Sequence, residues 1–113
     1  MKLIKAYIRY RKIDQVYKTL VEAGFRSMTF VECEGTGKYA DHEEDHISSK
    51  FPFANSYRVI KLETLIRDDQ VDQVIEIVRK SGRTGYQGDG MILVSPVEEV
   101  YKIRTNEKGI AVV

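Results

Sequence analysis

The alternation of hydrophobic and polar residues predicts a chain built mainly of β-strands. Every second residue is hydrophobic over much of the first ten residues and again after residue 56, a period that indicates strands with one covered face. Two shorter runs are rich in the β-branched and aromatic residues that strands favour. The predicted strands, in chain order, are 3–10, 28–34, 57–66, 91–95 and a short one at 97–105 after Pro96.

Two other segments repeat hydrophobic residues every three to four positions, which is the period of an amphipathic helix. The first, residues 13–21, is followed by Gly24, where a helix C-terminal glycine belongs. The second, residues 71–78, can be capped by Asp68 or Asp69 and is closed by Gly82. After the last strand, residues 106–113 are expected to form a loose tail.

The two helices belong to an internal repeat with an offset of 58 residues. The matched pairs are Ile13 and Val71, Val16 and Val74, Tyr17 and Ile75, Leu20 and Val78, and Gly24 and Gly82. A strand, helix and strand unit used twice predicts an α+β, ferredoxin-like βαββαβ fold, with two helices on one face of a four-stranded antiparallel sheet. The length of 113 residues fits one such domain spanning the whole chain.

A glycine-rich loop, GRTGYQGDG at residues 82–90, breaks the repeat. From the helix-closing glycine to the next strand the chain takes 4 residues in the first half (24 to 28) and 9 in the second (82 to 91). The fold does not need the extra residues, so the loop is a candidate functional site. Successive backbone N–H groups in such a loop can cradle a phosphate, whereas the alternative is a plain tight turn.

The face of the sheet opposite the helices has a mixed character. It carries hydrophobic and charged residues side by side, namely Leu3, Lys5, Tyr7, Arg9, Val59, Lys61, Glu63 and Leu65. This surface is too apolar to leave in water and too charged for a dry core, so we expect a homo-oligomer that buries part of it. Glu63 would then be either a ligand group in a cleft between chains or half of an ion pair.

The connection between the second and third strands, residues 35–56, has 22 residues where a hairpin would normally use about two to five. Such a loop is expected either to be mobile or to fold against a partner or ligand. Phe51 and Phe53 could fill an apolar pocket on another protein. His42 and His46, four residues apart, could bind zinc or another divalent metal, or belong to a solvated polar run.

Composition and charge exclude several classes of protein. The net charge of +1 lacks the basic surplus of a duplex-binding protein, so we predict no nucleic acid partner. No hydrophobic run approaches the ~20 residues of a spanning helix, and the first residues do not resemble a signal peptide. The single cysteine, Cys33, cannot form an intrachain disulfide, which favours a cytoplasmic location.

The sequence TGYQGDGM at 84–91, followed by PVEEVYKIRT at 96–105, resembles the C-terminal signature of the PII nitrogen-regulatory signal proteins. The residues Met28, Thr29, Gly35, Thr36 and Gly37 fit the second strand and loop base of that family. The resemblance implies a homotrimer that binds ATP, ADP or AMP in three intersubunit clefts. It also implies that the 35–56 loop, called the T-loop in that family, regulates a membrane transporter or a metabolic enzyme.

The resemblance also implies roles for individual residues. The residues expected around the adenine are Tyr7, Thr29, Glu63 and Leu65. The residues expected around the phosphates are Gly35, Gly37, Lys38, Gly88, Asp89, Gly90 and Met91, with Lys102 and Arg104 reaching across from the neighbouring subunit.

Three positions depart from the family pattern. Met91 stands where a phosphate-binding lysine is usual, and Lys102 replaces one of two arginines, so we expect ADP or AMP to be preferred over ATP. Tyr39 replaces a glutamine that helps to bind magnesium and 2-oxoglutarate, which places 2-oxoglutarate sensing in question. These departures indicate a divergent PII-like protein whose target could handle inorganic carbon, metal ions or ammonium.

The sequence fits three other functional classes less well. An enzyme is disfavoured, because no nucleophile with an adjacent base is evident and at most slow nucleotide hydrolysis is expected. An RNA-binding ferredoxin-like module shares the βαββαβ order, but residues 57–62 lack the aromatic pattern of its third strand. A metal-binding trimeric regulator is the remaining alternative.

Overall fold

The computed structural model describes residues 1–37 and 56–109. The elements, in chain order, are β1 (Lys2–Arg9), α1 (Ile13–Glu22), β2 (Thr29–Thr36), β3 (Ser56–Ile66), α2 (Val71–Gly82) and β4 (Ile92–Pro96). A 3-10 turn precedes each helix, at Tyr10–Lys12 and Asp68–Gln70. The predicted α+β fold of four strands and two helices is confirmed, and residues 38–55 of the long loop and residues 110–113 lie outside the described part.

The four strands form one antiparallel sheet in the order β2-β3-β1-β4. β1 and β3 are central, with Ala6 opposite Leu62 and Ile8 opposite Ile60. Even-numbered residues of these strands point to the helices, as the alternation predicts. The core residues are Ile4, Ala6, Ile8, Val16, Leu20, Leu62, Ile66, Val74 and Val78.

The two helices are held mainly by this core. Val16 and Leu20 of α1 and Val74 of α2 are fully buried. Burying a side chain of this size stabilises the fold by about 1.5–3 kcal/mol. The hydrophobic stripe that predicts each helix is therefore the same set of residues that attaches it to the sheet.

The ends of the helices differ in part from the sequence prediction. Gly24 adopts a left-handed φ of 98° after α1 and donates its backbone N–H to the carbonyl of Val21, as a C-terminal glycine does. Gly82 is instead the last residue of α2, and a Cβ there would lie 3.5 Å from Cγ2 of Val16. That distance is an ordinary van der Waals contact, so the packing of α2 on α1 does not require glycine at this position.

Neither predicted aspartate caps α2 through its side chain. Arg67 is the N-cap of the preceding 3-10 turn, and its backbone N–H donates to Oε1 of Gln70 at 3.1 Å. Asp68 accepts a hydrogen bond from the N-terminal amine of Met1 at 2.8 Å, and this bond lowers the pKa of its carboxyl below the usual range. The capping prediction was wrong because both carboxylates have other partners, the N-terminal amine for Asp68 and the Arg67 guanidinium for Asp69, and Gln70 is the N-cap of α2.

The predicted short strand at 97–105 is also wrong. The segment forms a turn, closed by an isolated bridge between Tyr101 and Lys108. The backbone N–H of Lys102 donates to the carbonyl of Glu107 at 2.8 Å, and that of Asn106 donates to the carbonyl of Lys102 at 2.9 Å. Residues 106–109 are thus part of this turn rather than of a loose tail.

Candidate functional site

The glycine loop is organised around the carboxylate of Asp89. This carboxylate accepts hydrogen bonds from the backbone N–H groups of Thr84 and Gly85, both at 3.0 Å, and from the hydroxyl of Thr84 at 2.6 Å. It also accepts from Nε of Arg9 at 2.8 Å. Because the acid is engaged inside the loop, its side chain is not available to a phosphate, and only its backbone N–H could contribute to a phosphate site.

The electrostatics of Asp89 follow from these contacts. Partial burial raises the pKa of the carboxyl, but the hydrogen bonds from Thr84, Arg9 and Gly85 outweigh that effect and lower the pKa from 3.8 to about 2. Each stabilises the charged form of the carboxyl. Asp89 is therefore ionised across the whole neutral range and holds the loop together as an anion.

Arg9 is the residue that sequence reasoning missed. Alternation placed it on the open, charged face of the sheet, whereas its side chain is only 3% exposed. Besides Asp89, it donates to the backbone carbonyl of Gln87 at 2.9 Å. The loop folds over the end of β1, and no local pattern signals this, because the partner lies 80 residues away in the chain.

Gly90 marks the point where the loop touches β1. Its φ is 90°, and an added Cβ would lie 2.0 Å from the carbonyl oxygen of Tyr7. The backbone N–H of Tyr7 in turn donates to the carbonyl of Met91 at 3.0 Å. Only glycine allows this approach. The sequence predicts that the glycine loop approaches another group closely, and at Gly90 that group is the backbone of Tyr7.

The loop nevertheless leaves part of its backbone unused. Within residues 1–37 and 56–109, no hydrogen bond uses the backbone N–H groups of Gly88, Asp89 or Gly90. Gly88 and Gly90 both have left-handed φ angles, of 98° and 90°. Successive backbone N–H groups at such a turn form a concave donor site that suits anions. A cavity of about 440 Å³ lies beside Gly90 and Met91.

The residues expected to surround adenine lie together on the open face. Thr29 of β2 pairs with Glu63 of β3, which pairs with Lys5 of β1. Tyr7 pairs with Lys61, the next residue of β3 on this face. Nζ of Lys61 lies 3.4 Å from Oε1 of Glu63, so Glu63 is half of an ion pair, and both side chains remain about one third exposed.

Leu65, the remaining member of this set, lies beyond Glu63 on the same face and pairs with Leu3. The two leucines are half-buried within one chain. The sheet therefore offers a half-covered apolar surface next to a carboxylate, as the sequence predicts for the open face.

The glycines at the base of the long loop lie at the opposite end of the sheet from Glu63. Gly35 pairs with Tyr57, and a Cβ on Gly35 would lie 3.2 Å from the Tyr57 ring. The next row on the same face pairs Cys33 with Val59 and Val59 with Arg9, which holds the glycine loop. The base of the long loop and the glycine loop therefore share one end of the sheet, and Gly37 follows directly after β2.

The other candidate residues are not brought into this arrangement. Lys102 and Arg104 are exposed on the turn that follows β4 and form no ion pair with another described residue. Lys38, Tyr39, His42, His46, Phe51 and Phe53 lie outside the described residues. In the described part of the chain no group of three or more His, Cys, Asp or Glu side chains could hold a metal, and no helix is long and apolar enough to cross a membrane.

Comparison with known proteins gives a consistent result. The family model described as nitrogen regulatory protein P-II matches residues 1–107. Curated relatives of that name include proteins from Mesorhizobium japonicum (39% identical), Azospirillum brasilense (38%) and Microchaete diplosiphon (40%), each aligned over 96% of this chain and 96% of the relative. The chain therefore belongs to the PII family of nitrogen regulatory signal proteins.

Proposed function

We propose that this PII-like signal transduction protein binds an adenine nucleotide between the subunits of a homotrimer and thereby controls a target through its T-loop. The proposal is carried by one observation, the row of backbone N–H groups at Gly88, Asp89 and Gly90 that no described acceptor uses. Such a row is a donor site for phosphate oxygens. The Asp89 carboxylate supports it by holding the loop in shape from within.

The placement of the predicted residues supports a site made by two chains. Glu63 pairs with Thr29 of the adenine set, and Tyr57 pairs with Gly35 at the base of the long loop. The two residues are six positions apart along β3. At about 3.3 Å per residue they are about 20 Å apart. One nucleotide could use both ends of the sheet more readily if one protomer supplied Thr29, Glu63 and Leu65 and its neighbour supplied the base of the long loop and the glycine loop. Tyr7, whose backbone contacts Gly90, would then lie on the phosphate side. The half-buried open face provides a surface for such an association.

Glu63 has a defined role in this proposal. A carboxylate can accept hydrogen bonds from the exocyclic amine of adenine, while the half-buried Leu65 and Tyr7 contact the faces of the base. In the free chain Glu63 is paired with Lys61 at 3.4 Å. Binding of the base would therefore compete with this exposed ion pair, which is weak enough to exchange.

The choice among nucleotides follows from the cations near the loop. Met91 offers no charge, and its side chain is 67% exposed beside Gly90. Lys102 is a point charge rather than the bidentate guanidinium of an arginine. We therefore propose that ADP or AMP binds more tightly than ATP, because the outermost phosphate of ATP has fewer partners.

Isothermal titration calorimetry with ATP, ADP and AMP, combined with light scattering to determine the oligomeric state, tests the proposal. A trimer that binds three nucleotides, with ADP or AMP ahead of ATP, is the expected result. A trimer that prefers ATP would overturn only the nucleotide preference. A monomer that binds none of the three would overturn the proposed function.

The proposed output is a contact between the T-loop and a membrane transporter or a metabolic enzyme, in nitrogen, inorganic carbon or metal homeostasis. Phe51 and Phe53 are its proposed anchors, and His42 and His46 its proposed metal ligands. Capture of partners from the source cell with and without nucleotide, using a Phe51→Ala, Phe53→Ala double variant as the control, tests the contact. No catalytic residue is proposed, and a cytoplasmic location without a nucleic acid partner remains a prediction.

A further inference from the structure

A second cavity, of about 370 Å³, lies between α1 and the edge strand β2, away from the proposed nucleotide site. None of the residues proposed to bind nucleotide lines it. Three aromatic rings, two carboxylates and two isoleucines line it, namely Tyr10, Tyr17, Phe30, Asp14, Glu32, Ile13 and Ile60. The volume is in the range that small ligands or a single large side chain can occupy.

The cavity exists because the helices do not cover the whole sheet. β2 is an outer strand, and its residues Phe30 and Glu32, which lie on the same face of the sheet as α1, are exposed. Phe30 is 39% exposed and Tyr17 of α1 is 48% exposed, with their ring centroids 6.0 Å apart in an edge-to-face arrangement. The two rings form one apolar wall that remains open to solvent.

The charged side chains that line the cavity are all acidic. Asp14 and Glu32 are the ionisable acids of the cavity, and no arginine, lysine or histidine is among its described lining residues. The side chain of Asp14 makes no ion pair or hydrogen bond within the described part of the chain. Aromatic faces attract cations through their quadrupole, and a carboxylate beside them adds to that attraction. The cavity therefore has the chemistry of a site for an organic cation.

The protein already uses this chemistry at the margin of the cavity. Cζ of Arg58 lies 3.4 Å from the ring centroid of Tyr10, and its Nη2 donates to Oε1 of Glu32 at 2.8 Å. Arg58 is not a lining residue. One guanidinium is thus held by a ring and a carboxylate at the edge of the cavity. The other rings and the second carboxylate, Tyr17, Phe30 and Asp14, offer a similar set that no described guanidinium occupies.

We infer that the cavity between α1 and β2 is a binding site for a guanidinium group. A planar guanidinium can stack on an aromatic face and donate to a carboxylate at the same time, which a compact ammonium does less well. The group could belong to a small free molecule or to an arginine side chain of a partner protein. The site is independent of the proposed nucleotide function.

The test uses the full-length protein with 13C-labelled tyrosine and phenylalanine, so that ring signals report binding by NMR. The probes are methylguanidinium, N-acetyl-arginine amide and N-acetyl-citrulline amide, which has nearly the same shape as the arginine probe but no charge. We expect the arginine probe to shift the Tyr17 and Phe30 signals in a saturable way and the citrulline probe to bind at least tenfold more weakly. Equal binding by methylguanidinium would identify a free small molecule as a sufficient ligand, whereas binding by the arginine probe alone would favour a partner side chain.

Matched variants locate the site. Asp14→Asn and Tyr17→Leu should each weaken binding of the arginine probe at least fivefold. Tyr101→Leu is the control, because Tyr101 is also 48% exposed but does not line the cavity. Circular dichroism melting curves check that each variant is folded. The inference is overturned if neither cationic probe shifts the two rings, if citrulline binds as well as arginine, or if the two cavity variants bind like the control.

Discussion

The guanidinium of Arg9 and the carboxylate of Asp89 form a hydrogen-bonded ion pair at 2.8 Å that joins the end of β1 to the glycine loop. Arg9 is 3% exposed and Asp89 is 23% exposed, so the pair lies at the boundary of the protein interior. A buried guanidinium that lost this carboxylate would lose a charge-assisted hydrogen bond and part of the compensation of its charge. The shape of the proposed phosphate loop therefore depends on a residue of the first strand.

Replacement of Asp89 by asparagine should destabilise the protein while nearly preserving side-chain shape. We expect the free energy of unfolding to fall by about 2–3 kcal/mol, below the 3–5 kcal/mol typical of fully buried pairs because Asp89 is partly exposed. Denaturant unfolding measures the loss, and hydrogen exchange at Thr84 and Gly85 should rise. Asp68→Asn is the control, since its ion pair with the N-terminus is exposed, and a similar loss in both variants would contradict the assignment.

The lowered pKa of Asp89 makes stability depend on pH in a defined direction. The folded pKa of about 2 lies below the ordinary value of 3.8, so the stabilising contribution is present above about pH 4 and is lost as the pH falls toward 2. A shift of this size corresponds to about 1–2 kcal/mol after allowance for partial exposure. Unfolding free energies measured from pH 5 to pH 3 should fall more steeply for the wild type than for Asp89→Asn. Parallel curves would rule out Asp89 as the source.

Glycine substitutions separate backbone strain from steric contact. Gly90→Ala combines a φ of 90° with a Cβ 2.0 Å from the Tyr7 carbonyl oxygen, and we expect a loss of about 2–4 kcal/mol. Gly24→Ala has a φ of 98° but no atom within 4 Å of the new Cβ, so about 1 kcal/mol is expected. Thermal and denaturant unfolding compare the two. Equal losses would show that the contact with Tyr7 is not what requires glycine.

A lysine at position 91 should restore affinity for the outermost phosphate, if the proposed nucleotide site is correct. Met91→Lys places a cation beside Gly90, and we expect ATP affinity to rise about tenfold relative to AMP, which is about 1.4 kcal/mol. Calorimetry at two salt concentrations measures it, and the gain should shrink at high salt. Gln73→Lys, on the exposed side of α2, carries the same added charge and should leave the ratio unchanged.

The sequence was sufficient to predict the sheet, the helices and the open face, because these depend on periodic burial of residues such as Ile4, Leu20 and Leu62. It did not predict the burial of Arg9 or the inward role of Asp89, because both result from a contact between distant segments. It also missed the hydrogen-bonded turn around Tyr101 and Lys108, where the residues favour a strand but no neighbouring strand in the described part of the chain pairs with them. The periodicity of hydrophobic residues thus predicts the strands and helices, whereas the conformation of the loops depends on contacts between residues that are distant in the sequence.

The 3-10 turns that precede α1 and α2 extend the internal repeat, since Tyr10–Lys12 and Asp68–Gln70 are offset by the same 58 residues as the helices that follow. Each half of the chain therefore enters its helix through the same kind of turn. The two helix-to-strand connections are equivalent positions of the fold, and the glycine loop occupies only the second of them. A copy of this loop grafted between α1 and β2 should therefore be compatible with folding.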